Sequence, residues 1–107
     1  MATTATVLLI NPFRVFEGQE EAFLALWEAT GAIFSRSDGY VHARLCRAMS
    51  RQPPGQHPPY THVNIAEWRS LDAYSDALRQ PALAPFISRY RAVSTYEPGV
   101  YEVIREI

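Results

Sequence analysis

Apolar positions fall along this chain in two alternating rhythms, one of period two and one near 3.6, and these divide it into strands and helices. Residues 7–13, Val-Leu-Leu-Ile-Asn-Pro-Phe, form a nearly continuous apolar run, as expected of a strand covered on both faces. Asn11 interrupts it and shares a face with Val7, Leu9 and Phe13. Pro12 has no N–H for a ladder, so pairing should fail there on one side. Acidic residues around Gly18 open a helix near its positive end. Phe23, Leu26, Trp27, Thr30, Ile33 and Phe34 follow at helical spacing as one wide stripe. Gly31 costs about 1 kcal/mol inside a helix and suggests close approach of a neighbour. Ser37-Asp38-Gly39 ends the helix.

Residues 40–49 read as a second strand. Tyr40, His42, Arg44 and Cys46 lie on one face, and Val41, Ala43, Leu45, Arg47 and Met49 on the other. Residues 50–59 hold four prolines and one glycine and should protrude as a long, mobile hairpin connection. Residues 60–68 form the third strand: Tyr60, His62, Asn64 and Trp68 share one face, Thr61, Val63, Ile65 and Glu67 the other. Ser70 caps the next helix, whose Leu71, Tyr74 and Leu78 make an apolar face until Pro81 stops it. A second helical piece over 82–91 turns Leu83, Phe86, Ile87 and Tyr90 inward. The last strand covers 96–104, with a bend or bulge at Pro98-Gly99.

The resulting order is β-α-β-β-α-β, the ferredoxin-like arrangement of the α+β class. A four-stranded antiparallel sheet would carry both helices on one face. The strands are apolar on both faces, so the bare sheet face needs a cover. A second copy of the chain about a two-fold axis is the economical solution, predicting a homodimer.

At 107 residues the chain is long enough for one domain, taken as 1–107. No apolar run approaches the ~18 residues of a membrane span. Residues 1–6 lack basic groups and do not resemble a signal peptide, so a cytoplasmic protein is expected. A net charge of −1 argues against a nucleic-acid partner. All ten cationic residues are arginine, which removes Schiff-base chemistry and a lysine base. A single cysteine, Cys46, permits no internal disulfide.

Neither a glycine-rich phosphate loop nor a nucleophile elbow is present. His42, His57 and His62 have no helical metal spacing. His42 and Cys46 stand about 13 Å apart along one strand, at ~3.3 Å per residue, so no metal site is expected. What remains is a polar set on otherwise apolar elements: Asn11, His42, His62, Asn64, Trp68, Tyr74 and Arg89. Amides and an indole N–H can bind carbonyl or phenolic oxygens, and aromatic rings can stack on a flat ligand. The third strand's even row therefore reads as the wall of a pocket for a small, oxygenated, largely apolar molecule. A satisfied core amide beside a packing indole reads equally well from the pattern alone. Tyr74 as a core aromatic, Arg89 as a solvated helix residue, and the histidines as structural imidazoles are the plainer alternatives.

Residues 64–74, Asn-Ile-Ala-Glu-Trp-Arg-Ser-Leu-Asp-Ala-Tyr, resemble the strand–helix signature of the antibiotic biosynthesis monooxygenase family. The stretch from Ile10-Asn11-Pro12-Phe13 through Gly18, the Gly39-Tyr40-Val41 start of strand two, and Val100-Tyr101-Glu102-Val103 are similar to it as well. The resemblance covers nearly the whole chain and implies a dimeric α/β barrel. It also implies a cofactor-independent monooxygenase that oxidises a phenolic or polyketide-derived aromatic, such as an anthrone, with O2. Asn64 and Trp68 match the amide and indole that hold the substrate oxygens, and are the expected catalytic pair. Tyr74 matches a pocket tyrosine; Asn11, His62, His42 and Arg89 complete the expected substrate contacts. A histidine in the 50–59 loop has no secure counterpart because the loop is of atypical length. The haem-degrading relatives need a tryptophan and a histidine where this chain has Ala77 and Ile87, so that activity is not expected. A polyketide cyclase, with a His or Tyr as acid–base, and a non-catalytic small-molecule-binding protein are the rival readings.

Overall fold

The computed structural model describes residues 5–107, so the expectation drawn from the opening residues falls mostly outside the described part. The fold is α+β and ferredoxin-like. It comprises β1 (Val7–Val15), α1 (Glu20–Phe34), β2 (Tyr40–Arg47), β3 (His62–Trp68), α2 (Leu71–Leu78), a 3-10 turn (Pro81–Leu83), α3 (Ala84–Val93), β4 (Ser94–Tyr96) and β5 (Gly99–Tyr101). The antiparallel sheet runs β2-β3-β1-β4, with β5 also on β1. No helix among the described residues is long and apolar enough to cross a membrane.

Local chemistry accounts for most of these boundaries. The chain turns into α1 through Gly18 at φ +80°, a left-handed conformation that costs glycine little. Glu20 and Glu21 occupy the helix's positive end. The Ser70 side chain accepts the N–H of Ala73 at 3.0 Å and caps α2 as expected. β1 and β3 pair in full register from Val7 opposite Trp68 to Phe13 opposite His62. On its other edge β1 pairs with β4 only at Phe13–Val15 and with β5 only at Leu8–Ile10. The ladder breaks opposite Asn11 and Pro12, where the ring nitrogen can donate nothing. The last strand is thus two short pieces separated by Glu97 and Pro98, which is the bend anticipated at Pro98-Gly99.

Alternation puts Val7, Leu9, Asn11 and Phe13 of β1 on the helix side, with His62, Asn64, Ala66 and Trp68 of β3 beside them. Two apolar clusters hold the layers together. Leu9, Ala66, Trp68, Tyr74 and Ala77 pack under α2, and Phe13, Val15, Phe23 and Val93 pack between α1 and α3. Leu71 is exposed, so α2 turns inward on Tyr74 and Ala77, with Leu78 reaching the cavity below, and only Leu71 of the expected Leu71–Tyr74–Leu78 face is left outside.

β2 departs from simple alternation. The register shifts between Tyr40 and His42, so Tyr40 opposes Trp68 while His42 opposes Glu67. One extra residue, Val41, reverses the faces from there on. Tyr40 consequently points to the helices with Ala43 and Leu45, whereas His42 turns to the bare face. Gly31 was expected to mark a close approach, but nothing lies within 4 Å of where its Cβ would stand. It borders a cavity.

Candidate functional site

Between the helices and the sheet lies a cavity of about 360 Å³. That volume suits a small organic ligand. Its floor is Leu9, Asn11 and Phe13 of β1 with Asn64, Ala66 and Trp68 of β3. Trp27, Thr30, Gly31 and Phe34, one helical turn apart in pairs, form the α1 wall. Tyr74 and Leu78 of α2, then Leu83, Phe86, Ile87 and Tyr90, form the opposite wall. Tyr96 and Pro98 reach the cavity at the break in the β1 ladder. The lining is mostly aromatic and aliphatic, with a few polar atoms.

Those polar atoms divide into spent and unspent ones. The Trp27 indole N–H donates to Asn64 Oδ1 at 3.1 Å. The Thr30 hydroxyl donates to the Leu26 carbonyl at 3.0 Å, so at the 2.7 Å contact the Tyr90 hydroxyl donates to Thr30 Oγ1. Asn11 Oδ1 and Trp68 Nε1 are buried without any hydrogen-bond partner. Trp68 is only 1% exposed, held edge-on by Phe34 at 5.8 Å and by Tyr40 at 5.6 Å. Leaving a buried donor or acceptor unpaired costs about 1–3 kcal/mol, so two such atoms in one cavity point to a ligand with polar atoms of its own.

The lining contains no Asp, Glu, His, Cys or Lys among the described residues. Its titratable groups are tyrosines and Arg91. Burial pushes the Tyr74 hydroxyl above the ordinary 10.0. Burial likewise raises Tyr90, to about 12, Thr30 countering in part and Tyr96 adding slightly. Both phenols are neutral at physiological pH and can exchange hydrogen bonds but cannot take a proton.

Four of the expected site residues meet here: Asn11, Asn64, Trp68 and Tyr74. Three do not. His62 is on the anticipated face and 4% exposed, but it sits at the far end of β3. Its Nε2–H donates to Glu20 Oε2 at 2.8 Å, Nδ1 lies 2.8 Å from Thr61 Oγ1, and Phe23 packs on the ring at 5.0 Å. It lines a separate groove beside the 50–59 loop. His42 is carried to the bare sheet face by the bulge, 55% exposed and 3.9 Å from Glu67. Arg89 points to solvent with its guanidinium 5.4 Å from the Phe86 ring centre. Two residues on, and some 200° round the helix, Arg91 reaches the cavity instead.

Trp27, Thr30, Tyr40, Tyr90 and Tyr96 line the cavity without having been singled out. Threonine and glycine at 30 and 31, in the middle of an apolar stripe, were the available signal: a solid core rarely wants either there.

Comparison with known proteins agrees with this fold. A sequence model of the antibiotic biosynthesis monooxygenase family matches residues 6–89. The chain is 35% identical over 95 residues to deoxynogalonate monooxygenase of Streptomyces nogalater, covering 89% of this chain and 74% of that protein. The crystal structure of SnoaB, a cofactor-independent oxygenase from Streptomyces nogalater, superposes with a TM-score of 0.80 at 31% identity, over 95% of this chain and 96% of that one. A structure from Shewanella loihica is 28% identical, with a TM-score of 0.75 over 98% of this chain and all of the other, 100%.

Proposed function

The chain belongs to the antibiotic biosynthesis monooxygenase family, and from that premise we propose that it is a cofactor-independent monooxygenase acting with O2 on a phenolic, polyketide-derived aromatic. The observation that carries this reading is the cavity itself. It has aromatic walls for a flat ligand, unspent polar atoms at Asn11 and Trp68, and, among the described residues, no carboxylate, imidazole, thiol or lysine.

In this reaction the substrate supplies the electrons. The ring CH2, flanked by two aryl rings and conjugated through them to the carbonyl opposite, loses a proton to solvent water to give an enolate. The enolate passes one electron to O2, and the resulting radical and superoxide combine into a C–O bond as a peroxide. Protonation of the outer oxygen, loss of the second C–H proton and cleavage of O–O give a carbonyl and one water. The protein's share is to hold the enolate oxygen, orient the ring and keep bulk water out. The Asn64 amide and the Trp68 indole are the donors assigned to that oxygen, with Tyr74 and Asn11 shaping the rest of the contact.

A polyketide cyclase in the same cavity would need a group that gives and takes a proton near neutrality. The histidines lie elsewhere, and burial holds the Tyr74 and Tyr90 phenols high, which favours oxygenation. The test is turnover of 1,8-dihydroxyanthrone, followed by O2 uptake and quinone absorbance. Equal uptake and product, ceasing without O2, is expected; product formation that continues unchanged under nitrogen would sink the reading.

We also propose that two copies pair through the bare sheet face. Leu8, Ile10, Val63 and Ile65 lie there only half-buried, with no helix over them among the described residues. Sedimentation should give twice the chain mass, and Ile65→Glu should halve it; a monomer at concentrations of about 10 µM and above would refute the pairing.

A further inference from the structure

The cavity contains two indoles with opposite assignments. Trp68 Nε1 has no partner, whereas Trp27 Nε1 is committed to Asn64. We propose that Trp27 is a positioning residue: it fixes which way the Asn64 carboxamide faces, so that the amide N–H donors and not the carbonyl meet the ligand oxygen. The proposal rests on the cavity being the site described above.

The argument is one of hydrogen-bond polarity. A carboxamide is nearly symmetric in shape, and a half-turn about its last bond exchanges an acceptor for two donors. An indole N–H can only donate. At 3.1 Å from Trp27 Nε1, the amide must present Oδ1. The carboxamide forms no other hydrogen bond to a side chain or backbone among the described residues, so Nδ2 carries two uncommitted N–H groups. The backbone beneath is held from both sides, Asn64 opposing Asn11 on β1 and Leu45 on β2. The side-chain torsions remain, and Trp27 settles the terminal one. Turning the amide would set two donors against each other and offer a carbonyl lone pair to an enolate oxygen, a repulsive contact. The indole thereby prepares the donors before the ligand arrives, as a site stabilising an anion requires.

Trp27 also stands at the correct height to do this. It precedes Thr30, Gly31 and Phe34 on the one face of α1 that borders the cavity. It is half-buried, so its N–H bond is partly shielded from competing water.

The test uses 1,8-dihydroxyanthraquinone, whose phenol changes colour on ionisation, bound to the full chain. Donors aimed at the ligand oxygen should make the bound phenol more acidic than the free one. Trp27→Phe should make the bound phenol less acidic, raising its pKa by about 0.5–1 unit, and lower turnover about three- to tenfold, the loss of one hydrogen bond. In an Asn64→Ala background the same substitution should change neither. An undiminished effect in that background overturns the proposal, because Trp27 would then be acting by bulk alone. Failure of the unaltered protein to bind the probe overturns the reading of the cavity, and this proposal with it; the two failures are distinct.

Should Trp27→Phe not fold, ¹⁵N NMR of the two indoles, in the unaltered protein and in Asn64→Leu, answers the question. The probe should move the Trp68 N–H signal and leave Trp27 hydrogen-bonded, while Asn64→Leu should move Trp27. A Trp27 signal indifferent to Asn64→Leu refutes the bond.

Discussion

Asn11 and Asn64 face each other across the β1–β3 ladder, two carboxamides side by side on the helix-facing surface of the sheet. Neighbours in that row are Leu9, Phe13, Ala66 and His62, so the pair is a polar island in a packed floor. Their fates differ. Asn64 has its oxygen engaged by Trp27, while Asn11 Oδ1 is buried and unpaired. Next to Asn11, Pro12 breaks the ladder on the β4–β5 side, and Tyr96 and Pro98 enter the cavity through that break. One strand thus supplies both an unsatisfied acceptor and the opening beside it. This is a costly arrangement for a core and a serviceable one for a binding site.

Trp68 carries the clearest separation of stability from function. Its indole N–H is buried with no partner. Trp68→Phe removes that orphan donor at the expense of a small void, so thermal stability should stay within about 1 kcal/mol of the unaltered protein. If the N–H meets a developing oxyanion, turnover should fall about ten- to a thousandfold. Thermal melts and initial rates on the same preparations decide it; equal activity would leave Trp68 as filler.

How far the sequence could be read depended on the geometry behind each signal. Strand alternation is a fixed period, so the common face of Asn64 and Trp68, and of Asn11 with Leu9, followed directly from residue spacing. Ser70 and Pro81 bounded α2 for equally local reasons. The failures were non-local. The bulge at Val41 depends on how β2 meets β3 near Trp68, and it sent His42 to the other face. His62 was placed on the correct side, but its capture by Glu20 joins residues 42 apart in the chain. Arg89 and Arg91 differ only in helical phase, and that phase is set after Pro81 and Pro85 have redirected the chain. Trp27 was hidden because an indole in an apolar stripe looks like packing until its N–H is seen to have a destination.

The cavity phenols make a prediction about pH. Tyr74 is raised by burial and Tyr90 is raised to about 12, so neither ionises in the working range. Between about pH 6 and 9 the rate should therefore follow the acidity of the substrate. Two anthrones of different acidity should give profiles displaced by that difference, and Tyr90→Phe should leave both midpoints in place. A midpoint common to both substrates would reveal a protein base.

Glu20 contributes to acid stability from outside the cavity. The His62 hydrogen bond, assisted by the charge of Arg47 at 2.9 Å, holds its carboxyl below the ordinary 4.5. The folded chain then binds fewer protons than the unfolded chain just below that value. The stabilisation is fully present above 4.5 and is lost as pH falls through the lower folded value. Glu20→Gln should flatten this part of the stability curve in urea titrations at successive pH values. An acid limb identical to the parent's would show that the link contributes nothing.

Gly31 offers a test of cavity shape with opposite signs for stability and capacity. It lies inside α1, where glycine costs about 0.5–1 kcal/mol relative to alanine. A Cβ at this position meets nothing within 4 Å, so Gly31→Ala should stabilise the fold by about that amount. Because the position borders the cavity, larger replacements should grow into the ligand's space. Gly31→Leu should keep the fold and weaken binding of a three-ring probe such as 1,8-dihydroxyanthraquinone more than that of a two-ring naphthol. Urea melts read the first effect and paired binding titrations the second. Equal weakening of both probes would mean that the α1 wall does not set ligand size.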